Sequence, residues 1–295
     1  MKTILTGFGA TIRGGSILIV VTAALLCSGK LQADEQLFGF VRGAETLPAK
    51  RSEFYQFFTL HEGKAEGTYY GSDFESEFEY GFTDRFQASL AVEQHYFYNK
   101  GVDGDRDALD DTDAYRFGGV KVSGKYRLLS PFKDPIGLAL RLESGYLWND
   151  EVDGLPQSEF FVKPELDLQK DFRDDTIILA LDVAAEWAWG KQPAEEYPRE
   201  FSYEVALAGA YRFAPNWFIG LESHMRAEYP LFDLYFFEHR VIYAGPSLHY
   251  AQKNWWATLT WNYQVFGKGV GEPSDHLTFA EEARNIFQLK IGINF

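Results

Sequence analysis

One pattern limits what this chain can become. Blocks in which apolar and polar residues alternate recur from residue 53 to the final residue. A period of two puts all apolar side chains of a block on one face of a β-strand and the polar ones on the other. In 201–213, Phe201, Tyr203, Val205, Leu207, Tyr211 and Phe213 share one face, and Ser202, Glu204, Ala206, Ala208, Ala210 and Arg212 the other. In 255–268, Trp255, Ala257, Leu259, Trp261, Tyr263 and Val265 oppose Trp256, Thr258, Thr260, Asn262 and Gln264. Twelve blocks can be placed, near 53–62, 67–81, 86–99, 113–129, 137–149, 158–170, 176–189, 201–213, 217–230, 239–252, 255–268 and 284–295. Two are irregular: Phe54 to Leu60 is apolar on both faces, and Pro246 interrupts the tenth. The blocks are long enough for tilted strands that span a hydrocarbon core, which takes roughly 9–11 residues.

The connections alternate as well. Gly81 to Arg85, Ser130 to Ile136, Asp171 to Asp175, Ala214 to Asn216 and Gln252 to Asn254 are tight and rich in turn formers. Gly101 to Thr112, Asp150 to Gln157, Gly190 to Glu200, Leu231 to Glu238 and Gly269 to Ala283 are longer. Short turns at one end and long loops at the other predict an all-β fold, a twelve-stranded antiparallel up-and-down barrel crossing a membrane, with periplasmic turns and external loops. A soluble sandwich would not sort its loops this way, and its outward faces would be polar. Aromatics make up 17% of the chain while mean hydropathy is only −0.26, as expected of a barrel with lipid outside and water inside. Tyr80, Phe82, Tyr126, Phe172, Phe213, Trp217 and Trp255 fall at the turn ends, and Tyr96, Tyr98, Tyr146, Trp148, Trp187, Trp189 and Tyr229 at the loop ends. Two headgroup-level girdles are expected from them.

Both ends of the chain carry address signals. Lys2 and Arg13 precede an apolar run, Ser16 to Cys27, and Ala33 offers a small residue for cleavage. Residues 1–33 therefore read as a secretory signal peptide, too short in its apolar part to span a membrane. Leu26 is too large for a lipoprotein pattern before Cys27, so ordinary cleavage is expected, which removes the chain's one cysteine. Residues 34–52 read as a periplasmic lead-in that tucks into the barrel mouth, and 53–295 as the barrel itself. After the leader no run of 18 apolar residues occurs, which excludes helical spans. The leader holds three of the 28 basic residues and none of the 43 acids, so the mature net charge is near −18. Such acidity argues against nucleic acid as partner. At the far end, Phe287, Leu289, Ile291, Ile293 and Phe295 alternate with Gln288, Lys290, Gly292 and Asn294. This closing strand resembles the C-terminal signal by which the bacterial barrel-assembly machinery recognises outer-membrane proteins. The expected location is the outer membrane of a Gram-negative bacterium, with its lipids and that machinery as partners.

With the apolar set facing lipid, the other set lines the lumen. It comprises Glu75, Glu77, Glu79, Glu93, His95, Lys121, Lys125, Arg127, Arg141, Glu143, Lys163, Glu165, Asp167, Asp182, Glu186, Glu204, Arg212, Glu222, His224, Arg226, Glu228 and Lys290. The second strand carries a carboxylate stripe and the fourth a basic one, which would attract across a narrow lumen. Two readings stay open: a structural plug of salt bridges, and a polar path that orders permeating solutes. Twelve strands fall between the filled eight-strand barrel and the open sixteen-strand channel. The Asp-rich loop with Asp103, Asp105, Asp107, Asp110, Asp111 and Asp113 lacks the Gly and Glu positions of a calcium loop, and reads as a solvated acidic loop. Leu231 to Phe237 is an apolar loop that either folds inward as a lid or packs between barrels. His95, His224 and His249 are candidate bases near Ser89, Ser223 and Ser247, yet strand phase points His224 inward and Ser223 outward. No zinc-type spacing appears, and no cofactor or catalytic residue is assigned. The leading function is a channel for small solutes with a mixed-charge lumen. A lipid- or envelope-modifying enzyme and a closed structural or adhesive barrel are the alternatives.

Two local patterns carry a family resemblance: Glu45-Thr-Leu-Pro48, and Glu79-Tyr-Gly-Phe-Thr-Asp-Arg-Phe-Gln87 at the first turn. Both resemble an uncharacterised family of proteobacterial outer-membrane barrels classed as a domain of unknown function. More loosely they resemble porin-like barrels linked to aromatic-compound degradation. The resemblance implies fold and location, and no site residue.

Overall fold

The computed structural model describes residues 36–102, 111–150, 154–190, 199–270, 277–279 and 282–295. The leader and Asp103, Asp105, Asp107 and Asp110 lie outside the described residues. Twelve strands follow one another: β1 Ser52–Glu62, β2 Thr68–Thr83, β3 Phe86–Lys100, β4 Thr112–Leu129, β5 Gly137–Asn149, β6 Pro156–Phe172, β7 Ile177–Trp189, β8 Arg199–Ala214, β9 Trp217–Pro230, β10 His239–Ala251, β11 Trp255–Gly269 and β12 Asn285–Asn294. Each pairs antiparallel with its sequence neighbours, and β1 pairs with β12, which closes the barrel. At the seam, Phe295 N donates to Ser52 O at 2.9 Å. Closure leaves no unpaired edge, as a lipid-spanning sheet requires.

The alternation sorts side chains as the sequence pattern predicts. Leu90, Val122, Leu142, Leu207, Leu221 and Leu259 stand exposed on the outside, where a soluble sheet would carry polar groups. Aromatic rings touch along both rims: Phe213, Trp217, Tyr250 and Trp255 make one chain at the turn side, and Trp187, Phe201, Tyr229 and Tyr203 another at the loop side. The double apolar character of β1 has a simple cause. Phe54 and Phe58 face out, while Tyr55 and Phe57 pack inside against Trp256 and Ala251. Trp256 donates its indole N–H to Glu53, and the Tyr55 hydroxyl donates to Glu79 with Glu53 3.1 Å from the same oxygen. In the β3–β4 pair the register shifts between Glu93 and Gln94. Gly118, opposite the shift, leaves space that the His95 ring fills; a Cβ there would lie 2.0 Å from Nε2.

The lead-in does not stay at the mouth. Residues 36–48 rise from the turn side into the barrel and turn back, forming an internal arch. Thr46 and Leu47 sit at the base, bonded to Asp84 and Gln87. Arg42 and Phe40 mark the crest, beside Asp182 and Glu222, and Gln36 returns to Thr258 near the turn end of β11. Leu37, Phe38 and Val41 are buried against Ile178, Ala180, Ala206, Ala208, Ala210 and Phe218. The inward alanines of β8 thus leave the volume that the arch fills.

Candidate functional site

An arch inside a barrel has no ladder partner, so its N–H groups need acceptors from the wall. Glu222 accepts from Gly39 N at 3.0 Å and Phe40 N at 3.1 Å. Asp182 accepts from Arg42 N at 2.5 Å, and Gln169 Oε1 from Ala44 N at 2.9 Å. In return Lys125 donates to Gly43 O. Glu222, Asp182 and Lys125 share the inward phase read from the sequence, but they serve the arch. The Arg42 side chain sits among Glu77, Glu143, Glu165 and Arg141. Glu79 is buried below, accepting from Tyr55 and Gln87.

Above the crest lies a chamber of about 690 Å³, floored by Phe40. A smaller cavity of about 220 Å³ runs beside the arch past Arg42, Arg141, Glu165, Asp182 and Lys290. The chamber wall presents twelve carboxylates and four fixed cations, Lys64, Lys121, Lys163 and Arg226. Glu75, Glu93, His95, Lys121, Glu143, Lys163, Glu186, Glu204, Arg226 and Glu228 from the sequence-derived set all line it. Arg127 and Arg212 do not; each donates to a carbonyl at the turn-side rim, Asp84 O and Asp174 O.

The cations are already engaged. Lys121 pairs with both Glu75 and Glu93, so the β2 and β4 stripes meet along the wall, across β3, and not across the lumen. Lys163 binds Glu204 at 2.7 Å. Arg141 holds Glu143 and Glu165, and Arg226 holds Glu228 at 2.5 Å with Glu200 at 3.8 Å. The lining therefore keeps a surplus of negative charge after every fixed cation is counted. Salt-bridge plug and polar space coexist: pairs line the wall, and the volume between them is open.

Several chamber residues were not singled out in the sequence. Asp73 shares the phase of Glu75 and bridges two imidazoles, His95 Nδ1 at 2.7 Å and His61 Nε2 at 2.9 Å. Glu238 and Glu282 come from connections, which periodicity does not reach. The described residues Thr278 and Glu282 to Ala283 of the β11–β12 connection reach inward. Thr278 N donates to Gln264 at 2.7 Å and Tyr243 donates to Ala283 O at 2.5 Å. Glu282 Oε1 then meets His239 Nε2 at 3.2 Å, with Glu228 3.6 Å from the other ring nitrogen. Glu228, His239 and Glu282 each present one ligand atom within 4.8 Å of the others, a donor set chemically suited to a divalent cation. In this structure the imidazole bridges the two carboxylates.

Burial opposes ionisation of Glu282, but its hydrogen bond from His239, with the charges of His239, Arg226 and Lys64, brings its pKa from 4.5 down to about 2. A depressed carboxylate stabilises above its ordinary pKa, and that contribution fades as pH falls from about 4.5 towards 2. At about 1.4 kcal/mol per unit the ceiling is about 3 kcal/mol. A spin label at Leu277→Cys should accordingly gain mobility across that window. With Glu282→Gln added, the label should already be mobile at pH 7; equal rigidity in both would mean that the Glu282–His239 contact does not hold this segment in place.

The candidate bases are otherwise occupied. His224 is stacked between Phe40 at 4.3 Å and Tyr243 at 5.0 Å, while Ser223 donates to Tyr243 O. His249 Nδ1 contacts Thr258, which donates to Gln36 O. Asp111 and Asp113 of the acidic loop accept from Gly101 N and Tyr96.

Comparison with known proteins agrees with this architecture. An outer-membrane channel of the COG4313 group from Pseudomonas putida F1 superposes with a TM-score of 0.60 at 11% identity, over 85% of this chain and 98% of that one. The KdgM porin, at 12% identity over 82% and 99% of the chains, and the NanC porin, at 8% over 83% and 98%, each reach 0.46. At 11% identity the likeness to the Pseudomonas putida channel establishes the barrel fold alone. No curated protein matches the sequence. Residues 30–295 match DUF6662, described as a family of unknown function.

Proposed function

We propose, for a chain that belongs to DUF6662, a family of unknown function, an outer-membrane channel that admits small cationic solutes. Its external chamber selects, and its own N-terminal arch closes the periplasmic half. The observation that carries this reading is the charge of the chamber: twelve carboxylates face four fixed cations in one cavity. Carboxylates in a confined, low-dielectric space attract cations and repel anions more strongly than on an open surface. The apolar outer wall and two aromatic girdles support the membrane setting. The smaller cavity beside Arg42 supports a route past the crest.

The test is ion selectivity of the refolded protein in planar bilayers under a salt gradient. A reversal potential of cationic sign is expected, moving towards zero when Glu186→Gln and Glu238→Gln are combined. An anion-selective current would overturn the cation reading, and an unselective one would remove the chamber as the filter.

A further inference from the structure

The apolar loop Leu231 to Phe237 does not fold into the chamber, as a lid would. It turns outward. Phe232 packs edge-on against Trp189 at 5.3 Å, and Trp189 lies 6.1 Å from Phe160 on the outer wall. At the loop's other end Phe237 meets Tyr229 at 5.9 Å, and Tyr229 stacks on Tyr203. Both ends of the loop thus continue the loop-side aromatic girdle.

The turn that sends it outward is unusual. Leu231 and Phe232 both adopt φ of +58°, a region that glycine enters freely and bulky residues avoid. The conformation is braced on every side. Leu231 N donates to Arg199 O, Asp233 N to Pro230 O and Phe236 N to Asp233 O. The Asp233 carboxylate accepts from Tyr235 N at 3.0 Å. The result presents Leu234, Tyr235 and Phe236 to the outside, 64%, 97% and 56% exposed. Such a patch in water would be a liability.

Basic groups surround its base. Arg199 precedes β8's outward aromatics, and its carbonyl holds Leu231. Arg240 and Lys268 form a cross-strand pair just below the loop. A bulge in the β10–β11 register turns Phe266 and Lys268 to the outer side, where Arg240 lies over the Phe266 ring. Apolar side chains with cations at the rim match a lipid with acyl chains and a phosphate headgroup.

We propose that this loop is a lipid seat: Leu234, Tyr235 and Phe236 enter the acyl region of the external leaflet, and Arg199, Arg240 and Lys268 bind the phosphates of a phosphorylated glycolipid there. The inference rests on the barrel's membrane setting but not on conduction, so it stands or falls separately from the channel.

The mature chain, once its leader is cleaved, offers no cysteine of its own, so one label can be placed cleanly. Tyr235→Cys carrying an environment-sensitive fluorophore is refolded into phosphatidylcholine vesicles, with and without lipid A. Glu66→Cys, on another exposed loop, is the aqueous control. At position 235 the expected result is blue-shifted emission, quenched by lipid-borne nitroxides and unchanged on diluting protein in lipid. The quenching should be stronger with lipid A, and that gain should vanish with Arg199→Gln, Arg240→Gln and Lys268→Gln together. Retained heat-modifiability on gels shows that the variants fold. Emission like that of the Glu66→Cys control would overturn the proposal. So would quenching protection that disappears on dilution, because a neighbouring barrel would then be the occupant. Equal signals with and without lipid A would overturn the headgroup assignment.

Discussion

Removal of residues 36–47 should leave the barrel standing and take away its closure. The twelve-strand ladder closes through β1 and β12 without the arch, so the sheet loses none of its own hydrogen bonds. What is lost is the burial of Leu37, Phe38 and Val41, about 1.5–3 kcal/mol for each side chain. Part of that returns, because Glu222 and Asp182, which now satisfy arch N–H groups, would be rehydrated in an open lumen. The inner faces of β7 and β8 that the arch covers carry small residues, Ala180, Ala206, Ala208 and Ala210, so no side chain is poised to refill the space. A twelve-stranded barrel emptied this way lies between the filled and the open sizes. Single-channel conductance in planar bilayers should therefore rise by an order of magnitude or more over the full chain. The gel shift on heating, a mark of a folded barrel, should persist. If the shortened barrel folds and conducts no better, the arch is not the gate.

The strands were legible in the sequence and the arch was not, for one physical reason. A strand writes its geometry into neighbouring residues, because side chains alternate faces. All twelve observed strands accordingly begin and end within two residues of the spans predicted from alternation. Leu37 to Thr46 has no such periodicity, and its position depends on what distant strands leave empty. The clue lay in β7 and β8: Ile178, Ala180, Ala206, Ala208 and Ala210 make an apolar inner patch that a water-filled lumen would not favour. The same limit applies to contacts. Phase alone put Glu75 and Lys121 inside, but only register shows that they meet along the wall over an intervening strand. Asp73 follows the phase of Glu75 and could have been included with it. Glu238 and Glu282 could not, because connections obey no repeat. The outward turn of the 231–237 loop depends on positive φ at Leu231 and Phe232, residue types that do not advertise it.

Lys125→Met is expected to cost about 3–5 kcal/mol, the range for breaking a buried ion pair by removing one partner. The Lys125 side chain is 3% exposed and that of Asp167 fully buried, with Nζ and Oδ2 3.2 Å apart. Asp167 also shares its site with Glu165 and Asp182, where Arg141 holds Glu165 and the Arg42 N–H donates to Asp182, so Lys125 is the cation paired with Asp167. Methionine keeps the length of the stem and deletes the charge, and Asp167 then loses its ion pair in a desolvated site. The urea midpoint for unfolding from vesicles should fall with the slope unchanged. Adding Asp167→Asn removes the orphaned charge, so the double variant should recover most of the loss. The resulting coupling energy measures the pair. Closure should respond differently, because Lys125 also donates to Gly43 O on the arch. Open probability should rise in Lys125→Met and stay raised in the double variant, while Asp167→Asn alone keeps the arch contact and remains closed. Recovery of stability together with recovery of closure would mean that Lys125 acts on the arch only through Asp167. A neutral Lys125→Met would mean that Asp167 does not carry its charge in the folded barrel.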